Sequence, residues 1–181
     1  MIERADKGLA FMLQYENIAW YDDGAVRILD RRIYPTKVEF VVCKTFQEVA
    51  KAITDMVTQS AGPYTAAQMG MALAAYQARD LDSAAWLDFM KNAAHVIAHA
   101  RPTTVDRMSI LTNKSLDAAI AAKEKGENVP EAIVEHTIRS NNARYQKIGE
   151  MAEYLVDMFP QNAKVLTQCF GETIVGQMLR V

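Results

Sequence analysis

The sequence predicts a mainly α-helical protein with a small antiparallel β-sheet at its amino-terminal end and, after the helices, the first β-α unit of a truncated Rossmann-like domain. Extended segments around an Asp-Gly turn lie within residues 1–44. Apolar residues then recur at helical spacing through residues 45–160. Residues 161–181 read as strand, turn and helix, in the order that opens a doubly wound sheet. We therefore divide the chain into these three regions.

The small sheet is predicted from three extended segments. Asn17–Tyr21 and Ala25–Asp30 flank Asp23-Gly24, a dipeptide typical of hairpin turns. Val38–Val42 is expected to add a third antiparallel strand.

The helical region begins with a capping signal. Thr45 followed by Glu48 is a capping box, and apolar residues within positions 49–57 continue at helical spacing. The Gly-Pro pair in Gln59–Pro63 predicts a loop after this helix. An Ala- and Met-rich segment, Thr65–Ala78, predicts a second, closely packed helix.

Three longer helices are predicted downstream. Asp82 can cap the third helix, which ends at Arg101-Pro102-Thr103. The fourth spans Val105–Lys125. Asn128 caps the fifth, and Pro160 ends it.

The pattern changes after the fifth helix. Ala163–Thr167 reads as a buried strand, Cys169–Gly171 as a tight turn and Glu172–Leu179 as a helix. A lone parallel strand leaves its backbone groups unpaired on both edges. We expect the rest of this sheet to come from residues beyond Val181.

Composition narrows the function classes. The chain has 181 residues, 23% of them charged, and a formal net charge of -2 without a dense basic run, so we expect neither a nucleic-acid nor a membrane partner. Its apolar stretches are shorter than the roughly 20 residues of a membrane span. Cys43 and Cys169 lie in different contexts, which predicts free thiols and a cytoplasmic location.

Five ordered segments carry a resemblance to a known family. They are Ile18-Ala19-Trp20 with Arg27–Pro35, then Thr45–Met56, Ala100-Arg101-Pro102-Thr103-Thr104-Val105, Asn142-Ala143-Arg144 with Ile148-Gly149-Glu150, and Val165-Leu166-Thr167-Gln168-Cys169. Together they resemble the family of methylthioribose-1-phosphate isomerases and the alpha, beta and delta subunits of translation initiation factor 2B. The resemblance covers nearly the whole chain.

The resemblance implies conversion of a ring-closed aldose 1-phosphate to the ketose 1-phosphate, with methylthioribose 1-phosphate or a close relative as substrate. Moving hydrogen from C2 to C1 needs an acid and a base, which a thiol and a carboxylate can supply without a metal or cofactor. Cys169 matches the family's reactive cysteine. The family's catalytic aspartate would lie beyond Val181, so we expect this chain to be inactive alone. We also predict a homodimer.

Two residues have a structural alternative beside the functional one. Cys169, expected just before a helix, is favoured as a thiolate by the helix dipole, but position alone favours a buried structural thiol. Arg101 offers a fork of donors for a phosphate, or it neutralises the carboxyl end of a helix. The resemblance favours the functional interpretation of both.

The chain departs from the family at one loop. Where the isomerases have Arg-Gly-Ala-Pro, this sequence has Gln59, Ser60, Ala61 and Gly62, so phosphate binding there would depend on backbone N–H groups and hydroxyls. This departure leaves open a non-catalytic subunit like those of initiation factor 2B. An isolated helical domain without activity of its own is a third possibility.

Other chemistry-bearing residues receive simpler interpretations. His95 and His99 lie one helical turn apart without a third ligand nearby, so we predict no metal site. Cys43 is expected in the core. Asn142 fits either a bridge to a second domain or a local polar contact.

Overall fold

The computed structural model describes residues 2–167 and 172–181. Within these ranges the chain forms a helical bundle with a three-stranded sheet at one side. The elements in chain order are α1 (Tyr15–Ile18), β1 (Ala19–Asp22), β2 (Ala25–Leu29), β3 (Phe40–Cys43), α2 (Phe46–Thr54), α3 (Gly62–Gln77), α4 (Ser83–Ala98), α5 (Val105–Glu124), α6 (Val129–Asp157) and α7 (Glu172–Met178). Short 3-10 turns at Phe11–Leu13 and Pro102–Thr104 complete the described elements.

The predicted antiparallel sheet is confirmed, with strand order β1-β2-β3. Ala19 pairs with Ile28, and Val26 pairs with Cys43. The expected start of the first strand at Asn17 was wrong, because residues 15–18 form the helical turn α1. The carboxylate of Asp6 accepts the Tyr15 N–H at 2.6 Å, which satisfies a donor of that turn from outside the local sequence.

The capping signal of α2 is confirmed. Thr45 Oγ1 accepts the Glu48 N–H at 3.2 Å, and Glu48 Oε2 accepts the Thr45 N–H at 3.3 Å. Phe46, Val49 and Ile53 on one face are buried in the main core.

The central helix is α3, whose residues 65–75 are buried on every side. It begins at Gly62 rather than at Thr65, since Pro63 lies in its first turn, where its missing N–H costs nothing. The Gly-Pro pair therefore marks the start of a helix.

Helices α4, α5 and α6 surround the central helix, with predicted caps at both α4 and α6. Asp82 accepts the N–H groups of Ala84 and Ala85, both at 3.0 Å. Asn128 accepts the Glu131 N–H at 3.3 Å and starts the 29-residue α6. No helix in the described part of the chain is long and apolar enough to cross a bilayer.

The predicted buried strand Ala163–Thr167 is not formed. Residues 163–167 have no regular secondary structure and are exposed, with Leu166 at 98%. No other strand of the described chain lies alongside residues 163–167, so a strand there would leave its backbone N–H and C=O groups unpaired. Helix α7, in contrast, forms where the sequence predicts it and packs on α6. The predicted turn Cys169–Gly171 lies outside the described residues.

Candidate functional site

The loop expected to contribute to phosphate binding connects α2 to α3. The Gly62 N–H donates to the Gln59 carbonyl at 2.9 Å, and Ser60 is exposed with φ 54°. Gly62 is buried so closely that a Cβ there would lie 2.1 Å from Thr58 Oγ1. Ala61 supplies no side-chain cap for α3. The N–H groups of the helix start are not free, since Pro63 has none and the Tyr64 N–H donates to the Ala61 carbonyl at 3.2 Å. The loop therefore offers the N–H groups that precede the helix, together with the Ser60 hydroxyl.

Arg101 lies in the turn between α4 and α5. Its carbonyl accepts the Thr104 N–H at 3.1 Å and the Thr104 hydroxyl at 3.3 Å, which holds the turn. Thr54 Oγ1 donates to the neighbouring Ala100 carbonyl at 2.8 Å. Thr54 is the last residue of α2, so this bond ties the Arg101 turn to the helix end from which the Gln59–Gly62 loop starts.

The side chain of Arg101 is uncommitted in the part of the chain described. It is half-buried, and no hydrogen bond or ion pair joins its guanidinium to residues 2–167 or 172–181. In the alternative interpretation, Arg101 neutralises the carboxyl end of a helix. Helix α4 ends at Ala98, three residues before Arg101, and within the described residues no hydrogen bond joins the guanidinium to that helix end. A free guanidinium in a fixed turn can bind a phosphate through two parallel hydrogen bonds.

The predicted catalytic Cys169 lies outside the described residues, and its role stays a prediction. The other thiol, Cys43, is buried at the end of β3, where burial raises its pKa to about 11, with Glu48 adding to the shift. A thiol in this state is a poor nucleophile at neutral pH.

Asn142 contacts the amino-terminal segment. Its Oδ1 accepts the Ala5 N–H at 2.9 Å and the Tyr15 hydroxyl at 2.8 Å, while its Nδ2 donates to the Glu3 carbonyl at 2.7 Å. Of the two roles left open by the sequence, the structure therefore supports a polar contact, made with a segment that is distant in sequence.

A buried polar layer between α3 and α6 was not predicted. Thr65 and Asn141, both buried, are joined at 3.4 Å, and Arg144 Nη2 donates to Asn141 Oδ1 at 3.4 Å. Burial lowers the pKa of Arg144, and the charge of Arg107 in the first turn of α5 lowers it further. Nη1 of Arg144 and Nδ2 of Asn141 have no partner within the described residues. In the sequence, the only indication of this position was the motif Asn142-Ala143-Arg144.

His95 in the last turn of α4 and His99 just after that helix lie side by side, with their rings tilted by 33°. The rings of His95 and His99 are 4.0 Å apart, and Nδ1 of His99 lies 2.8 Å from the His95 carbonyl. No group of three possible metal-ligating side chains was found in the described ranges.

Comparison with known proteins shows extensive similarity over part of their length. The chain is 30% identical to the methylthioribose-1-phosphate isomerase of Caldanaerobacter subterraneus over 156 residues, 82% of this chain and 44% of that protein. It is 34% identical to methylthioribose-1-phosphate isomerase 1 of Pseudothermotoga lettingae over 148 residues, 78% of this chain and 41% of that protein. The chain thus spans less than half the length of these relatives. No protein-family model matches it.

Two solved structures share the fold. The delta subunit of translation initiation factor 2B from A. fulgidus superposes with a TM-score of 0.64 at 28% identity, covering 87% of this chain and 46% of that chain. The 5-methylthioribose 1-phosphate isomerase of Pyrococcus horikoshii superposes with a TM-score of 0.62 at 19% identity, covering 91% and 49%. At that identity the second likeness concerns the fold alone.

Proposed function

We propose, from the premise that this chain belongs to the family of methylthioribose-1-phosphate isomerases and initiation factor 2B subunits, that it forms the helical part of an aldose-ketose isomerase acting on a sugar 1-phosphate. Methylthioribose 1-phosphate or a close relative is the substrate. The observation that carries the proposal is the Arg101 turn, which is tied to the end of α2 by Thr54 and leaves its guanidinium free for a phosphate.

The proposed chemistry divides between this chain and the rest of the protein. Arg101 binds the phosphate, and the free N–H groups and hydroxyl of the Gln59–Gly62 loop are proposed to contribute to the same site. Cys169 serves as one acid-base group, and a carboxylate beyond Val181 serves as the other. The 181-residue chain therefore binds substrate weakly and does not turn it over. As part of the same proposal, the boundaries between the three regions of the chain lie at residues 44 and 160.

The test uses the full-length protein and measures ketose 1-phosphate formation. Cys169→Ser should lower turnover at least about 100-fold without changing the thermal midpoint, the usual scale for a lost acid or base. A variant that keeps most of its turnover would assign Cys169 to the structure instead.

Arg101→Ala should weaken binding of the phosphorylated sugar by about 1.5 to 3 kcal/mol, the range of a charge-assisted hydrogen bond. Arg79→Ala is the matched control. Arg79 lies just after the carboxyl end of α3, at the opposite end of that helix from the Gln59–Gly62 loop. Calorimetry should show unchanged affinity for this control. Equal affinity of the Arg101→Ala protein and the unmodified protein would remove Arg101 from the site.

A second candidate is a non-catalytic subunit that senses a sugar phosphate or nucleotide, like those of initiation factor 2B. The specific observation in its favour is that Gln59, Ser60, Ala61 and Gly62 replace the arginine-bearing loop of the isomerases. A full-length protein that binds sugar phosphate through Arg101 without forming ketose would support this candidate.

Further properties follow from the family assignment as predictions. The full-length protein is a cytoplasmic homodimer that needs no metal or cofactor. Sedimentation of the full-length protein tests the dimer.

A further inference from the structure

A basic groove runs between α5 and α6. It has a volume of about 440 Å³ and is lined by twelve residues of the described chain. Five of them are permanently cationic: Arg107, Lys114, Arg139, Arg144 and Lys147. None of the twelve is acidic. A quarter of the 20 Lys and Arg residues of a nearly neutral chain thus face one groove.

These charges lie on one face of each helix. Arg107 and Lys114 are two turns apart on α5, and Arg139 and Lys147 are about two turns apart on α6. The groove residues of α6 extend from His136 to Met151, a length of about 22 Å at the helical rise per residue. A single phosphate cannot reach all of them. An elongated anion can.

The charges of the groove are only partly balanced. Arg139 pairs with exposed Glu135 at 3.3 Å, a weak surface contact. Burial lowers the pKa of His136, and the nearby charges of Arg139 and Lys114 lower it further, while Asp117 opposes them. The groove therefore has a positive potential that favours a ligand rich in carboxylates or phosphates.

The floor of the groove is apolar and partly exposed. Ile110 is 49% and Met151 is 52% exposed, and Leu111 and Ile148 lie between the charges. Within the described residues no Phe, Tyr or Trp lines the groove, and its one aromatic ring is the half-buried imidazole of His136, so nucleotide bases would find little stacking surface. Apolar side chains between basic ones match a helix that has both acidic and apolar residues.

We propose that the α5–α6 groove is a docking site for an acidic amphipathic helix of a partner protein. Its carboxylates pair with Lys114, Arg139 and Lys147, and its apolar face covers Ile110 and Met151. This site is separate from the Arg101 turn and does not depend on isomerase activity.

The probe is a fluorescein-labelled synthetic 20-residue helix with Glu on one face and Leu on the other, titrated with the 181-residue chain by fluorescence anisotropy. Lys114→Glu with Lys147→Glu should weaken binding at least about tenfold, because repulsion replaces two attractions. Lys37→Glu with Lys91→Glu makes the same charge change on exposed residues outside the groove, and it should change affinity less than about twofold. Lys114→Gln with Lys147→Gln should give an intermediate loss and replaces the Glu pair if that variant is unfolded by circular dichroism.

Two further arms test the amphipathic helix itself. A peptide of identical composition with its Leu residues scattered around the helix should bind at least about tenfold more weakly, and Ile110→Ser with Met151→Ser should weaken the original peptide similarly. Equal binding of both peptides, or no effect of the serine variant, would overturn the proposal. Single-stranded DNA of equal charge that binds as tightly as the peptide would also overturn it, in favour of a nucleic-acid site.

Discussion

Asn142 illustrates how one side chain can secure a distant segment. It is half-buried on α6 and hydrogen bonds to groups of Glu3, Ala5 and Tyr15, more than 120 positions away in sequence. Each such bond contributes about 1 kcal/mol net, and its loss leaves partners unsatisfied. A single substitution should therefore weaken the attachment of Glu3 and Ala5 to α6, while Leu13 and Tyr15 stay packed against Tyr145 of the same helix.

Asn142→Ala should lower the free energy of unfolding by about 2 to 3 kcal/mol, as measured by urea denaturation. Asn113→Ala is the control, because Asn113 is exposed on α5 and makes no hydrogen bond through its side chain within the described residues. Its change should stay within about 0.5 kcal/mol. If Asn142→Ala behaves like this control, the hydrogen bonds of Asn142 do not anchor the amino-terminal segment.

For single residues of the candidate site, the sequence predicted only those features that depend on neighbouring residues in the chain. Pro102 after Arg101 marks a turn, and the structure has that turn. The burial of Asn141 and Arg144 depends on how α6 packs against α3, so no local pattern reveals it. Sequence alone also left the role of Asn142 open for this reason.

At the scale of elements, the capping residues defined most helices. The starts of α2, α4 and α6 follow Thr45, Asp82 and Asn128, whose side chains make the predicted bonds. The failures occurred where tertiary contacts decide: the turn α1 depends on Asp6 from another segment, and the extended residues 163–167 lack a neighbouring strand.

The packing of α3 gives a prediction about a whole element. A Cβ at Gly70 would lie 2.9 Å from Val49 Cγ1 of α2 and 3.1 Å from Ile97 Cδ1 of α4, so three helices meet at this glycine. Gly70→Ala should lower the free energy of unfolding by about 1 to 3 kcal/mol through overpacking, as measured by urea denaturation.

Gly149→Ala provides the control for this substitution. Gly149 also lies inside a helix, α6, but the nearest atom to its Cβ position is Gln177 Oε1 at 3.7 Å. Alanine there should stabilise the protein by about 0.5 to 1 kcal/mol through helix propensity. A stabilising Gly70→Ala would show that α2 and α4 can move apart at no cost. In the background Val49→Ala, the cost of Gly70→Ala should shrink, since the two sites are coupled.

At the scale of the whole molecule, the second half of α6 presents an apolar surface. Outside the α5–α6 groove, Tyr154 and, just after the helix, Met158 are 74% and 77% exposed, and Val165 and Leu166 of the following segment are exposed as well. Exposed apolar surface of this kind marks an interaction site. The match covers only 44% and 41% of the two relatives, so these longer proteins have additional chain that is available to cover it.

Helix α7 is held by the bundle even though the segment before it is exposed. Gln177 is buried with its Nε2 at 3.5 Å from the Tyr145 carbonyl, and a Cβ at Gly176 would lie 2.2 Å from Leu13 Cδ1. Within the described residues, in contrast, the N–H groups of residues 164–167 find no backbone acceptor. Residues 164–167 and helix α7 should therefore differ in how strongly their amides are protected from hydrogen exchange.

Hydrogen exchange on the monomeric 181-residue chain should separate these parts. Amides of residues 164–167 should exchange at nearly the unfolded rate, those of α7 more slowly, and those of residues 133–152 in α6 most slowly. Gly176→Val should raise exchange throughout α7, because the valine side chain collides with Leu13, and leave residues 133–152 unchanged. Slow exchange across residues 164–167 in a proven monomer would mean that this segment packs stably by itself. The interpretation that residues 163–167 stay unordered for want of a neighbouring strand would then fail.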